Sequence, residues 1–315
     1  MALAIEVENL TKYYGKLLAV DHISFQVKEG ELFGFLGPNG AGKTTTQRIL
    51  TGVIEANNGN AEIMGYNIRK DAFNAKSIMG IVPELANPYI DLSAWDNLML
   101  MGQLYGISRE KRNEKATLLL KMFELYERRN QKVKTFSKGM KQRLLLSMAL
   151  ISEPRILFLD EPTNGLDVQS ARFIRNLIGE LNGEGVTVFL TTHNLEEANQ
   201  LCHRIAIIDH GKIATIDSPQ NLRRAFQKMQ SVEIGFATPF DRIDLLEKLI
   251  GVSKVKKMGD KFRLYTKAPS RVVYELTNFV RDNSLKFTTL NTLGPSLEEV
   301  FVKITEEHIG WDYEK

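Results

Sequence analysis

The chain has 315 residues, 43% of them hydrophobic and 25% charged, with a formal net charge of +3. That composition excludes a disordered chain, and the length allows one large or two medium domains with room for a core. So small a positive balance gives no argument for nucleic acid. The single cysteine, Cys202, excludes an intramolecular disulfide and fits a reducing compartment. No stretch approaches the roughly 18 to 20 uninterrupted apolar residues that cross a bilayer. The opening MALAIEVENL carries Glu6 and Glu8 where a secretory leader has a basic-then-apolar run. A cytoplasmic protein is expected, with any membrane role routed through a partner.

Ile5 to Leu10 and Ile23 to Val27 alternate apolar and polar residues, as half-buried strands do. Tyr14 lies between them, either an aromatic placed to stack on a base or an ordinary turn residue. Phe33, Phe35 and Leu36 then predict a buried parallel strand. It runs into Gly37-Pro38-Asn39-Gly40-Ala41-Gly42-Lys43-Thr44-Thr45, which matches G-x-x-x-x-G-K-[ST] at every position. Glycines at 37, 40 and 42 permit a turn that aims backbone N–H groups inward as an anion nest. A helix starting near Lys43 adds its positive end. Lys43 would reach the β- and γ-phosphates, and the Thr44 hydroxyl would ligate Mg²⁺. This is a nucleotide-phosphate site.

Asn57 to Asn60 reads as a turn, and Ala61 to Gly65 and Ser77 to Val82 as strands. After Pro83-Glu84 the pattern turns helical from Ser93 to Arg129. Trp95, Leu98, Met99 and Leu104 give one apolar face, and Leu118, Leu119, Met122 and Phe123 another. Most of these belong in a core, and any left exposed would form a groove for a partner helix. Ser137-Lys138-Gly139-Met140 opens a further helix with Ser137 at the N-cap, a motif that alone says only that a helix begins. Ile156 to Leu159 is a second buried strand ending in Asp160-Glu161, where strand-end carboxylates face the ligand crevice of α/β sheets. Asp160 suits the magnesium shell, and Glu161 can orient or deprotonate a water. Val186 to Leu190 is a third such strand, with Thr191-Thr192-His193 at its tip. His193 there can reach the γ-phosphate.

Assembled, these residues resemble the ATP-binding cassette family, specifically transporter ATPase subunits, over roughly residues 4 to 220. GPNGAGKTT is similar to Walker A, ILFLDE to Walker B and FSKGMKQR to the LSGGQ-type signature. NGLD, with Asp167, resembles the D-loop, His193 the switch histidine and Tyr14 the adenine-stacking aromatic. The resemblance implies an α/β phosphate-loop cassette over residues 1–222, with a parallel core sheet, an antiparallel β subdomain and a helical subdomain at about 85–153. It implies ATP and Mg²⁺ as cofactors, with Thr44, Asp160 and Glu84 at the metal and Glu161, His193 and Glu84 at the chemistry. A second cassette would supply Ser137, Lys138, Gly139 and Met140 across a head-to-tail interface. A polytopic membrane permease would dock around Pro88 to Tyr105, with Trp95 and Tyr105 as anchors, holding the subunit on the inner face of the membrane. No nucleic-acid partner is expected.

Two departures stand out: Glu84 replaces the Q-loop glutamine, and Lys138 and Met140 replace signature residues. Similar departures occur in the branch exporting drugs, antibiotics, polysaccharides or sodium. The competing class, a soluble cassette acting on ribosomes or DNA, usually carries two cassettes or long coiled coils between the Walker motifs. A small-molecule kinase would leave Ser137 and His193 unexplained.

Residues 223–315 read as a separate α+β domain. After a polar helical linker (Asn221 to Gln230), the order strand–helix–strand–strand–helix–strand is ferredoxin-like, with a last helix at Leu297 to Ile304. Lys254, Lys256, Arg263 and Lys267 suggest a basic face, for lipid headgroups, a partner or simply solvent.

Overall fold

The computed structural model describes residues 2–225 and 230–312. It divides into two compact units between Ser218 and Pro219. A long hairpin of β1 (Leu3–Tyr14) and β2 (Leu17–Lys28) opens the first. The buried strand β3 (Leu32–Leu36) follows and leads into α1 (Lys43–Leu50). β4 (Asn58–Ile63) and β5 (Tyr66–Asn67) complete an antiparallel sheet of order β2-β1-β4-β5. The turn expected at Asn57 to Asn60 is thus mostly strand. Asn58 pairs with Thr11 and Asn60 with Glu8, so β1 supplies partners that local turn chemistry does not anticipate. Likewise α2 (Ala72–Ser77) takes Ser77, and β6 (Met79–Val82) begins where Met79 meets Ile156.

The helical region contains α3 (Ala94–Leu104), α4 (Arg109–Met122) and α5 (Lys138–Leu150). Leu98, Leu120, Phe123 and Leu144 are buried within it. Leu104 and Leu118, expected among the apolar faces, are each 68% exposed. β7 (Ile156–Asp160), α6 (Val168–Gly183), β8 (Thr187–Thr192), α7 (Leu195–Leu201), β9 (Arg204–Asp209) and β10 (Lys212–Asp217) finish the unit. The second sheet has the order β10-β9-β3-β8-β7-β6, parallel throughout except for β10.

Strands buried on both faces need apolar residues at nearly every position, as β3 and β7 have. Five phenylalanines knit the sheets together. Phe25 of the antiparallel sheet stacks on Phe33 at 5.7 Å between ring centres and lies 6.1 Å from Phe189. Phe35 and Phe158 approach Phe189 at 5.5 and 5.6 Å.

In the second unit, α8 (Pro219–Ala225) begins the expected linker helix, whose residues 226–229 lie outside the described residues. Then come β11 (Gln230–Phe236), α9 (Ile243–Glu247), β12 (Val252–Met258), β13 (Lys261–Thr266), α10 (Pro269–Asp282) and β14 (Phe287–Leu293). The final helix, α11 (Leu297–Asp312), outruns the expected stop at Ile304. The sheet is antiparallel with order β12-β13-β11-β14, the ferredoxin-like arrangement. Alternation buries Val232, Ile234, Phe262 and Leu264 against Leu246, Val272 and Leu276. Residues of opposite parity do not make a uniformly basic face. Arg263 pairs with Glu233 and Glu299 at 3.4 Å each, and Tyr265 donates to Glu299 at 2.9 Å.

Phe189 sits at the centre of the ring cluster with no exposure. Phe189→Ala should cost about 3–5 kcal/mol of first-unit stability, read as a lower urea midpoint.

Candidate active site

Register decides which side chains meet. β3, β8 and β7 are neighbours and parallel, with Leu36 opposite Thr192 and Asp160 opposite Thr191. The segments that leave these three strands therefore emerge at one edge of the sheet. They carry the phosphate loop, Glu161 and His193. At that edge a cavity of about 440 Å³ is lined by Tyr14, Asn39, Gly40, Gly42, Lys43, Thr44, Thr45, Glu84 and Glu161, together with Leu17 and Ala19.

The loop is glycine-bound for steric reasons. A Cβ on Gly37 would lie 2.3 Å from the Ile208 carbonyl oxygen, and one on Gly42 2.5 Å from that of Ala19. Gly42 also takes φ +106, which L side chains avoid. It caps α1 with no side-chain acceptor, so first-turn N–H groups remain available to an anion. Pro38 and Ala41 tighten the loop, Ala41 N–H donating to the Pro38 carbonyl at 3.2 Å. Lys43 Nζ is tethered to the carbonyls of Gly37 at 2.7 Å and Pro38 at 3.0 Å. Its side chain is 6% exposed, and Glu161 stands 3.8 Å away. Burial lowers the Lys43 pKa, opposed by the carboxylates of Glu161, Asp160 and Glu84. Those carboxylates are what keep a buried ammonium charged.

Asp160 is almost fully buried. Its Oδ1 accepts from Thr191 and, at 3.4 Å, from Thr44. Hydroxyl and carboxylate together form an all-oxygen donor pair. That suits Mg²⁺, which takes one or two protein ligands and fills its octahedron with water and phosphate oxygens. Glu161 follows at φ +51, a sparsely populated conformation that turns its carboxylate off the strand. Oε1 of Glu161 is 2.8 Å from His193 Nδ1, and Oε2 is 3.5 Å from the Thr192 hydroxyl. Lys43 and Glu161 line the cavity, and His193, half exposed and outside that lining, sits against the Glu161 carboxylate, so a cation, a carboxylate and an imidazole stand together. Glu84 shares the cavity and accepts from Asn164 Nδ2 at 3.2 Å.

The signature residues do not line this cavity. Ser137 and Lys138 are exposed at the start of α5, where Ser137 Oγ accepts from the Met140 N–H at 3.2 Å. Gly139 is buried, and a Cβ there would lie 2.3 Å from Ser170 Oγ on α6. Asp167 caps α6 by accepting from the Ser170 N–H at 2.8 Å and its hydroxyl at 2.7 Å, bonds that lower its pKa. The signature helix therefore abuts the D-loop within the chain, with Ser137 and Lys138 presented outward. Thr191, Thr192, Leu17 and Ala19 join the site without belonging to any of the motifs above. Hydroxyls immediately before a strand-tip histidine were the available signal for the threonines. A second cavity, of about 460 Å³, belongs to the C-terminal unit and holds none of these groups.

Fold and site together define a phosphate-loop nucleoside triphosphatase. Residues 20–164 match the family model described as ABC transporter. The linearmycin resistance ATP-binding protein LnrL of Bacillus subtilis (strain 168) is 42% identical over 306 residues, covering 96% of this chain and 98% of that protein. The Nod factor export ATP-binding protein I of Rhizobium sp. (strain N33) is 34% identical over 302 residues, covering 96% and 97%. Among solved structures, a dimeric ATP-binding cassette in a post-hydrolysis state with ADP and Pi aligns with TM-score 0.62 and 28% identity. It covers 68% of this chain and 98% of that one. The chain belongs to the ABC transporter family, as an ATP-binding and ATP-hydrolysing subunit.

Gly42→Ala forces a Cβ onto a backbone carbonyl at positive φ. Titration with a fluorescent ATP analogue should show affinity reduced at least tenfold, on the order of 1.4 kcal/mol or more.

Proposed function

We propose that this subunit powers export through a separate membrane permease, working as a pair of cassettes that close on ATP and reopen after hydrolysis. The carrying observation is the cluster of Glu161, His193 and Lys43 at the mouth of the phosphate loop. Lys43 and the loop N–H groups bind the β- and γ-phosphates, and Tyr14, 46% exposed at the cavity rim, stacks on the adenine. Thr44 and Asp160, with Glu84 beside them, would hold Mg²⁺, which would supply charge neutralisation for the phosphates. Glu161 accepts a proton from the attacking water, and His193, bound to Glu161, steadies the γ-phosphate. Ser137, Lys138, Gly139 and Met140 of the second cassette complete the site, which explains why Ser137 and Lys138 face outward. Asp167, next to them, carries closure back to His193.

The permease surface follows the residues after Glu84. Leu85, Tyr89 and Ile90 are 83%, 52% and 45% exposed. Buried Asn97 fixes that loop by accepting from the Tyr89 N–H at 2.8 Å and donating to its carbonyl at 3.0 Å. Tyr105 adds an exposed ring, whereas Trp95 is half-buried and a weaker anchor. Among the described residues no helix is long and apolar enough to cross a membrane, so the path for cargo comes from the partner. Relatives named for linearmycin resistance and Nod factor export support export as the direction.

Glu161→Gln should bind ATP normally while turnover falls at least a hundredfold, about 2.7 kcal/mol of lost barrier reduction. Near-normal turnover would remove Glu161 from this role. Purification of the chain from gently solubilised membranes should bring down a polytopic protein in stoichiometric amount. Ile90→Glu should cut that recovery at least fivefold with ATP hydrolysis intact. Ribosomes or nucleic-acid-bound proteins, with nothing polytopic, would overturn the transport reading.

A further inference from the structure

Behind the catalytic carboxylate lies a second one that the mechanism leaves unused. Glu197, on the first turn of α7, has no solvent exposure. Thr163 Oγ1 donates to its Oε1 at 2.7 Å, bridging to the segment that joins Glu161 to the D-loop. Its other oxygen, Oε2, is buried with no hydrogen-bond partner among the described residues. The Thr192 hydroxyl lies beside the same carboxyl and also points to Glu161 Oε2 at 3.5 Å. One buried side chain thus touches both segments that carry the chemistry, the one after β7 and the one after β8.

We propose that Glu197 is a positioning residue for ATP hydrolysis: it locks the segment after Glu161 to the tip that bears His193. The inference rests on the assignment of Glu161 and His193 above. Glu197 is held inside the protein as a hydrogen-bond acceptor. Burial raises its pKa, and although the Thr163 and Thr192 hydroxyls oppose this, the charge on Glu161 adds to it and Arg175 offsets only part. The bond from Thr163 needs only an acceptor oxygen at the position of Oε1, held in this shape. Hydrogen bonding and shape are then what the site needs from Glu197, and glutamine has both.

The test is steady-state ATP hydrolysis by the full chain. Glu197→Gln should keep at least half of the normal kcat. Glu197→Ala should lose at least tenfold in kcat with KM for ATP within about twofold of normal. Thr163→Val, which removes only the donor, should share the direction of that loss. The double variant should be no worse than Glu197→Ala, because both changes break one link. Normal kcat in Thr163→Val and Glu197→Ala would overturn the proposal. So would equal losses in Glu197→Gln and Glu197→Ala, or additive losses in the double variant. Glu161→Gln assayed alongside reports on the underlying site: if it retains turnover, the site assignment fails, and if it does not, any failure belongs to Glu197.

Discussion

The site exists because three parallel strands end level. With β8 hydrogen-bonded between β3 and β7, the chain must place a loop, an acidic pair and a histidine within a few ångströms of one another. None of the three segments is close to another in sequence, so only the sheet brings them together. That register is itself set by apolar packing. Phe33, Phe35, Phe158 and Phe189 project into one core, and sliding a strand by one residue would turn its ring to the other face. The geometry of the site is thus a consequence of how five rings fit between two sheets.

Electrostatics then explains why so many charges tolerate burial at that edge. Lys43, Asp160 and Glu161 are each less than 10% exposed, and an isolated charge there would cost several kcal/mol. Each one has its compensation close at hand: two carbonyls and a carboxylate for Lys43, two threonine hydroxyls for Asp160, an imidazole and an ammonium for Glu161. The compensation is supplied by the fold before any phosphate arrives. Such preorganisation is what makes a polar site effective in a dry crevice, since little rearrangement remains when charge shifts in the reaction.

Much of this was legible in the sequence, and for a physical reason. Phosphate binding demands glycines at fixed steps because backbone must approach backbone, so Gly37 and Gly42 announce themselves without any structure. The strand ends are equally plain, since four apolar residues before Asp160 suit little but a doubly covered strand. What escaped was whatever depends on a distant partner. Asn58 joins a strand because Thr11 waits beside it. Asn97 sits in a helix, but its work is to hold the backbone at Tyr89. Leu104 and Leu118 have the right spacing for a core yet face outward, because hydrophobic pattern says which face a helix has and not whether a neighbour covers it.

The C-terminal unit makes the same point with charge. Read alone, Arg263 on β13 and Lys267 just beyond it suggest a basic surface with Lys254 and Lys256 of β12. The pairing of β11 with β13 sets Glu233 directly opposite Arg263, and α11 brings Glu299 to its other side. Lys261 is held by Glu233 as well, at 3.0 Å. The half-buried guanidinium is therefore part of the joint between sheet and helix, where a planar fork can meet two carboxylates at once. Removing both glutamates would leave a cation under α11 without its counter-charge, and the loss would fall on how the helix seats against the sheet. Arg263 belongs to the architecture of this unit, and of the four basic residues it is Lys254, Lys256 and Lys267 that stand exposed to an anion.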